Sequence, residues 1–143
     1  CCYIALSYVW GDNSNGDDAS YLLEGKSLPR TIEDSIAMTK SLYYRYLWID
    51  RYCIDQSNAA EKEEQIVQMA QIYEVAQLTL VATAGKDPSY GLPGVQDFTR
   101  TMPCEQAGSV LLVPFPDHTP MYDITNSKWA NRAWTYQECY FSR

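Results

Sequence analysis

The sequence predicts an α/β domain with a mostly parallel sheet and helices on both faces. Short apolar runs of strand length alternate with longer segments of helical periodicity, which is the pattern of strand–helix–strand units. The length of 143 residues, with 46% hydrophobic and 20% charged residues, suits one globular domain. No apolar run approaches the roughly 20 residues that a membrane-spanning helix needs.

Residues 1–143 are expected to form a single domain excised from a larger multidomain protein. The first residue is Cys1 rather than Met, and a strand-like run begins almost at once, at Tyr3. Neither a signal peptide nor a linker interrupts the pattern of alternating elements.

The first three elements form one strand–helix–strand unit. Residues 3–9 are mostly apolar and predict a buried strand. Thr31 and Asp34 have the spacing of a capping box, which predicts a helix that starts there and ends near Tyr44. The run of aromatic and branched side chains at residues 46–50 predicts the second strand.

The next helix has the clearest signals in the chain. Asn58 and Glu61 form a second capping pattern, and apolar residues then recur at helical spacing as far as Ala76. The charged side chains of this helix, Lys62 among them, are expected to face water. A buried third strand is predicted at residues 78–84.

Two further elements are predicted after a long irregular stretch. Residues 109–115 predict a fourth strand, which Pro114 is expected to end early or to place at a sheet edge. Ser127 is placed to cap a final helix that extends to Glu138.

Charge and cysteine content restrict the possible partners. A net charge of -7 excludes a nucleic-acid binder, which would need clustered Lys and Arg, but it allows a small anionic ligand. The five cysteines form no regular framework, which favours a reduced, cytoplasmic protein. No metal site is expected, because there is no C-x-x-C pair and His118 is the only histidine.

Candidate site residues follow the first two predicted strands. Ligands of parallel α/β sheets bind beyond the carboxyl ends of the strands, where Ser7, Trp10 and Gly11 follow one strand and Asp50 and Arg51 follow the other. The planar guanidinium of Arg51 suits a phosphate or a carboxylate. Structural alternatives remain: Trp10 in the core, Gly11 in a turn, Asp50 capping the loop and Arg51 in a surface salt bridge.

A second candidate site lies near the end of the chain. Trp134 and Glu138 are four residues apart, so a helix would place the indole and the carboxylate on one face. The alternative is a core Trp134 with Glu138 either solvated or paired with Arg132. Cys53 and His118 are the only Cys–His pair that could act in nucleophilic catalysis, and a buried, inert Cys53 is the favoured alternative.

Five segments in this order resemble the heterokaryon-incompatibility (HET) domain of filamentous fungi. They are residues 3–11 (YIALSYVWG), 47–56 (LWIDRYCIDQ), the helix at 61–76, 91–95 (GLPGV) and 129–138 (WANRAWTYQE). The resemblance implies a role in non-self recognition, in which such domains trigger cell death when incompatible hyphae fuse. It also implies a flavodoxin-like sheet, because HET domains are thought to be remotely similar to TIR domains.

Similarity to TIR domains would imply NAD⁺ as a substrate rather than a resident cofactor. Several TIR domains cleave its nicotinamide–ribose bond with one glutamate, which often closes a W-x-x-x-E stretch like that from Trp134 to Glu138. Glu138 would then be the catalytic carboxylate. Trp10 or Trp134 would pack against a ring, and Arg51 or backbone amides near Gly11 would hold the diphosphate. The remaining residues predicted to contact the substrate are Ser7 and Asp50.

A non-catalytic function is the main alternative. The domain would then act as a signalling module that self-associates, or that recruits other incompatibility proteins or regulatory domains through an aromatic surface. A hydrolase that uses Cys53 is a third and more distant possibility. All three functions predict a cytoplasmic domain with no membrane span.

Overall fold

The computed structural model describes residues 1–11, 27–100, 104–113 and 120–142. Its centre is a three-stranded sheet made of β1 (Ile4–Ser7), β2 (Leu47–Ile49) and β3 (Leu78–Val81). The strand order is β2-β1-β3, and both pairings are parallel. The prediction of a parallel sheet from alternating strands and helices is therefore confirmed for these three strands.

The central strand is buried on both faces, because a helix covers each of them. On one face, Ala5 packs in a cluster with Met69 and Tyr73 from α3 (Ala59–Val75). On the other face, Leu6 packs in a cluster with Ile32 from α1 (Arg30–Ser41). Successive side chains of a strand point to opposite faces, so one short strand supplies two cores.

The start of α1 differs from the predicted capping box. The helix already begins at Arg30, so Thr31 lies inside it, and the side chain of the preceding residue makes no capping hydrogen bond. Thr31 Oγ1 instead accepts from the Gly91 amide at 3.1 Å, and Asp34 Oδ2 accepts from the Leu92 amide at 2.7 Å. These two polar side chains therefore fasten the distant 91–95 segment to the helix.

The segment after β2 forms a short helix and then a capped longer one. Asp50, predicted at the end of the strand, is the first residue of the single-turn helix α2 (Asp50–Cys53). The second capping pattern is confirmed, because Asn58 Oδ1 accepts from the Glu61 amide at 3.2 Å and Asn58 Nδ2 donates to Glu61 Oε2 at 3.3 Å. This cap fixes where α3 begins.

The predicted fourth strand does not join the parallel sheet. Residues 110–112 form β5 (Val110–Leu112), which pairs antiparallel with β4 (Glu105–Ala107) in a separate, exposed hairpin. A parallel strand would need a crossover, usually a helix, whereas the described part of the connection after β3 is irregular and held against α1. Residues 114 and 115 of the prediction lie outside the described residues.

The final helix is shorter than predicted. The chain forms α4 (Pro120–Thr125), then a series of turns, and then α5 (Thr135–Tyr140). Ser127 Oγ does accept from a backbone amide, that of Ala130 at 3.1 Å, but it stabilises a turn and not a helix start. Among the described residues, no helix combines the length and the apolar character needed to cross a bilayer.

Replacing Gly91 with Ala should destabilise the fold, because this glycine has a φ of +89° and an added Cβ would lie 2.6 Å from Asp34 Oδ2. We expect the Gly91→Ala change to lower the free energy of unfolding by roughly 2–4 kcal/mol, from backbone strain and from the clash. Urea denaturation monitored by circular dichroism measures this loss.

The matched control is Gly108→Ala, since Gly108 also has a positive φ but an added Cβ there meets nothing within 4 Å. We expect a loss of about 1 kcal/mol from strain alone. Equal losses for the two variants would contradict the close approach of Gly91 to Asp34.

Candidate functional site

A cavity of about 380 Å³ lies beyond the carboxyl ends of β1 and β2. This is within the range of cavities that hold small-molecule ligands. It is bounded by the segments after both strands, by one side of α3 and by the segment that leads into α5. Its lining residues are Val9, Trp10, Gly11, Asp50, Ile54, Gln56, Lys62, Ile66, Met69, Lys128, Arg132, Trp134 and Glu138.

The cavity brings together five of the seven residues that the sequence singled out as a site. They are Trp10, Gly11, Asp50, Trp134 and Glu138. The two remaining residues are not among the lining residues. Ser7 is buried and touches Glu138, while Arg51 contacts Trp10.

Glu138 is fixed by two polar partners although it is only 1% exposed. The Ser7 hydroxyl donates to Oε2, and Arg132 Nη2 donates to Oε1 at 2.9 Å. Ser7 Oγ in turn accepts from Trp129 Nε1 at 2.6 Å. A buried carboxylate is costly unless it is paired, so Arg132 and Ser7 together allow a carboxylate at this position.

Arg132 joins the end of the first strand to the last helix. Its Nη1 donates to the Tyr8 carbonyl oxygen, while Nη2 forms the ion pair with Glu138. The alternative raised from the sequence combined a Glu138–Arg132 pair with a core Trp134, and the pair is confirmed. The prediction of a core Trp134 is wrong, because Trp134 is 47% exposed and the buried tryptophan is Trp129.

Asp50 is the second buried carboxyl group of the cavity. Trp10 Nε1 lies 3.0 Å from Oδ1 and 3.1 Å from Oδ2, and the Arg51 amide donates to Oδ1 at 2.8 Å. Burial is the main cause that raises the pKa of Asp50 to about 6, and the negative charge of Glu138 adds to it. Hydrogen bonds from the Arg51 amide and Trp10, and the charge of Arg132, act in the opposite direction.

Arg51 braces the wall of the cavity. Its Nη1 lies 3.5 Å from the Trp10 carbonyl oxygen, and its guanidinium carbon is 5.4 Å from the centre of the Trp10 ring. These contacts, together with the bond from the Trp10 indole to Asp50, hold Trp10 in place. Sequence reasoning foresaw the residues but not these mutual contacts.

Three cationic side chains of the cavity were not predicted as site residues. Arg132 was considered only as a partner of Glu138, and Lys62 was expected to face water; Lys128 was not considered. Helical periodicity shows which face of α3 meets the sheet, but it gives no signal that the helix shares a cavity with the distant segment from Lys128 to Glu138. Among the described residues, no group of three His, Cys, Asp or Glu is placed to hold a metal ion.

Cys53 is not part of the cavity lining. Its side chain is exposed, so the buried Cys53 favoured from the sequence is wrong. The Ile49 amide donates to Sγ at 3.4 Å, and desolvation of the sulfur raises the pKa of the thiol. A raised pKa lowers the fraction of reactive thiolate, which disfavours nucleophilic catalysis. His118, the partner suggested from the sequence, lies outside the described residues.

The parallel sheet and the polar and aromatic cavity at its carboxyl edge place the chain among α/β domains with a candidate ligand site in that position. The sequence profile of the family described as "Heterokaryon incompatibility protein (HET)" matches residues 3–138, and the chain therefore belongs to the HET family. This confirms the resemblance seen in the sequence.

One similar protein is heterokaryon incompatibility protein 6, OR allele, of Neurospora crassa. It is 32% identical over 132 residues, which cover 82% of this chain. The matched region is only 18% of the length of that relative. No solved structure matches the chain.

The raised pKa of Asp50 predicts a pH-dependent effect of the Asp50→Asn change. The folded chain holds the Asp50 proton more tightly than the unfolded chain, in which the pKa of this carboxyl has its ordinary value of 3.8. The resulting stabilisation is complete below pH 3.8 and is lost as the pH rises through about 6. Between pH 3.5 and 7.5, we expect the stability of Asp50→Asn relative to wild type to rise by up to about 3 kcal/mol.

Urea denaturation at several pH values measures this difference. Asp55→Asn is the matched control, because hydrogen bonds from Ser57 lower the pKa of the exposed Asp55 carboxyl. The stability of that variant relative to wild type should fall, rather than rise, over the same pH range. A difference between Asp50→Asn and wild type that stays constant with pH would contradict the raised pKa.

Proposed function

We propose that this chain is an effector domain of non-self recognition in filamentous fungi, and that it triggers cell death by cleaving NAD⁺ at the nicotinamide–ribose bond. The observation that carries the proposal is the fixed carboxylate of Glu138 in a cavity that Trp10 and Trp134 also line. Membership of the HET family supports the biological part. As the chain corresponds to 18% of its Neurospora relative, the activity of the whole protein is part of the proposal.

The chemistry needs one well-placed carboxylate. The bond between ribose C1′ and the nicotinamide nitrogen breaks, and nicotinamide leaves as a neutral molecule with the bonding electron pair. The ribosyl group is left with oxocarbenium character, water adds to C1′, and one proton is released. A fixed carboxylate stabilises the developing positive charge without having to reorganise.

The arrangement of the strands supports a flavodoxin-like, TIR-like fold within this proposal. The observed order β2-β1-β3 is the beginning of the 2-1-3-4-5 order of flavodoxin-like sheets. In such sheets, ligands bind where the strand order reverses, at the carboxyl ends of the strands. The cavity lies at this carboxyl edge of the sheet, beyond β1 and β2, whereas the strand order reverses between β1 and β3.

Glu138→Gln tests the catalytic role. The amide keeps the shape of the side chain but removes its charge, so we expect nicotinamide release from NAD⁺ to fall at least about a hundredfold. The measurement is nicotinamide release by the purified chain at several protein concentrations, with circular dichroism to verify folding. Glu74→Gln is the matched control, because Glu74 is exposed and does not line the cavity.

Undiminished release by a folded Glu138→Gln variant would refute the assigned role. If the wild-type chain releases no nicotinamide at any concentration, NAD⁺ cleavage is wrong and the non-catalytic function is favoured.

Self-association is the second candidate function, and the outer face of α5 favours it. Tyr136 and Tyr140 are 70% and 68% exposed, and their rings stack with centroids 5.5 Å apart. Exposed paired tyrosines are typical of residues at protein interfaces. A second copy of this chain that binds there would transmit the signal by contact alone.

Replacing Tyr136 and Tyr140 with Ser tests this function by sedimentation velocity. If the tyrosines form the interface, we expect the dissociation constant of the oligomer to rise at least about tenfold, because aromatic side chains dominate interface energies. Tyr43→Ser is the matched control, since Tyr43 is 96% exposed and lies on a different surface, after α1. An oligomer that is unchanged in the double variant would exclude this interface.

A further inference from the structure

The cavity contains both signs of charge, and its cations differ in how they are engaged. Asp50 and Glu138 supply the negative groups, while Lys62, Lys128 and Arg132 supply the positive ones. The guanidinium of Arg132 is committed to Glu138 and to a backbone carbonyl oxygen.

The two lysines have no comparable partner. Within the described ranges, neither ammonium forms a hydrogen bond or an ion pair. Hydrogen bonds from Ser89 are the main cause that lowers the pKa of Asp87, and the positive charge of Lys128 lowers it further. Asp87 and Lys128 nevertheless do not form an ion pair. The cavity therefore retains two cations that its own residues do not neutralise.

These lysines stand out because the chain as a whole is acidic. With a net charge of -7, the protein repels anions at long range, so an anionic ligand needs local positive charge. Arg51, which the sequence suggested for this task, is not a lining residue and contacts Trp10 instead. Lys62 and Lys128 are the lining cations left to bind phosphate.

We propose that Lys62 and Lys128 form a diphosphate-binding subsite of the cavity, which takes the diphosphate of a dinucleotide or of a nucleoside diphosphate. One part of this inference rests on the proposed function, namely that the subsite orients NAD⁺ in the cavity. With the diphosphate on the lysines, the cationic nicotinamide end is directed to the indoles and to the carboxylates of Asp50 and Glu138. The charges of the cavity and of the substrate then match at both ends.

Binding of ADP, measured by isothermal titration calorimetry, tests the subsite without any need for catalysis. Adenosine, which lacks the phosphates, is the control ligand. We expect ADP to bind the wild-type chain more tightly than adenosine does, with an affinity that falls as salt is added. Lys62→Ala and Lys128→Ala should each weaken ADP binding about tenfold, and the double variant about a hundredfold.

Lys40→Ala is the matched control variant, because Lys40 is exposed at the end of α1 and does not line the cavity. It removes the same charge and should leave ADP binding unchanged. Equal weakening by Lys40→Ala would show that only the overall charge matters, and it would overturn the subsite. The subsite would also be overturned if the double variant bound ADP as tightly as wild type, or if wild type did not bind ADP.

Kinetics separate the subsite from the cleavage reaction. If the chain cleaves NAD⁺, the double lysine variant should raise KM for NAD⁺ by about the same factor while changing kcat little. The KM for nicotinamide riboside, which has no diphosphate, should stay constant. A lysine-dependent affinity for ADP without nicotinamide release would retain the subsite and reject the cleavage, whereas nicotinamide release with lysine-independent binding would do the reverse.

Discussion

The buried carboxylate of Glu138 is the constraint on which the C-terminal part of the structure depends. A negative charge away from water needs a partner, and Arg132 supplies one from six residues earlier in the chain. Arg132 also binds the carbonyl oxygen of Tyr8, and Ser7 binds both Glu138 and Trp129. One polar network thus attaches the last segment to the end of the central strand, and the same network positions the carboxylate proposed for catalysis.

The two carboxyl groups of the cavity act on each other. Asp50 is held by an indole N–H and a backbone amide, yet burial and the charge of Glu138 still raise its pKa to about 6. The ion pair with Arg132 reduces this repulsion but does not remove it, because the charge of Glu138 raises the pKa of Asp50 by more than the charge of Arg132 lowers it. A cationic ligand in the cavity would reduce the repulsion further, which is a physical reason for the site to prefer a positively charged ring.

The sequence allowed the central sheet and the position of the candidate site to be predicted because both follow from local signals. Strand and helix periodicities gave the βαβαβ order, and the rule for parallel sheets then directed attention to Trp10 and Asp50. Contacts distant in sequence could not be read in this way. Thr31 and Asp34 look like a capping box, yet they bind residues about 60 positions later. Lys62 looks solvated because nothing in the sequence shows that its helix shares a cavity with the distant segment that contains Lys128.

The geometry of α5 connects the two candidate functions. Residues two positions apart on a helix point to nearly opposite sides, so Glu138 faces inward while Tyr136 and Tyr140 face outward. The helix has only six residues, and its inner attachment includes the carboxylate itself. A second copy that packs on the two tyrosines would therefore bear directly on the element that positions Glu138. Self-association and NAD⁺ cleavage are for this reason physically compatible in one domain, with assembly on the outer face stabilising the geometry of the inner one.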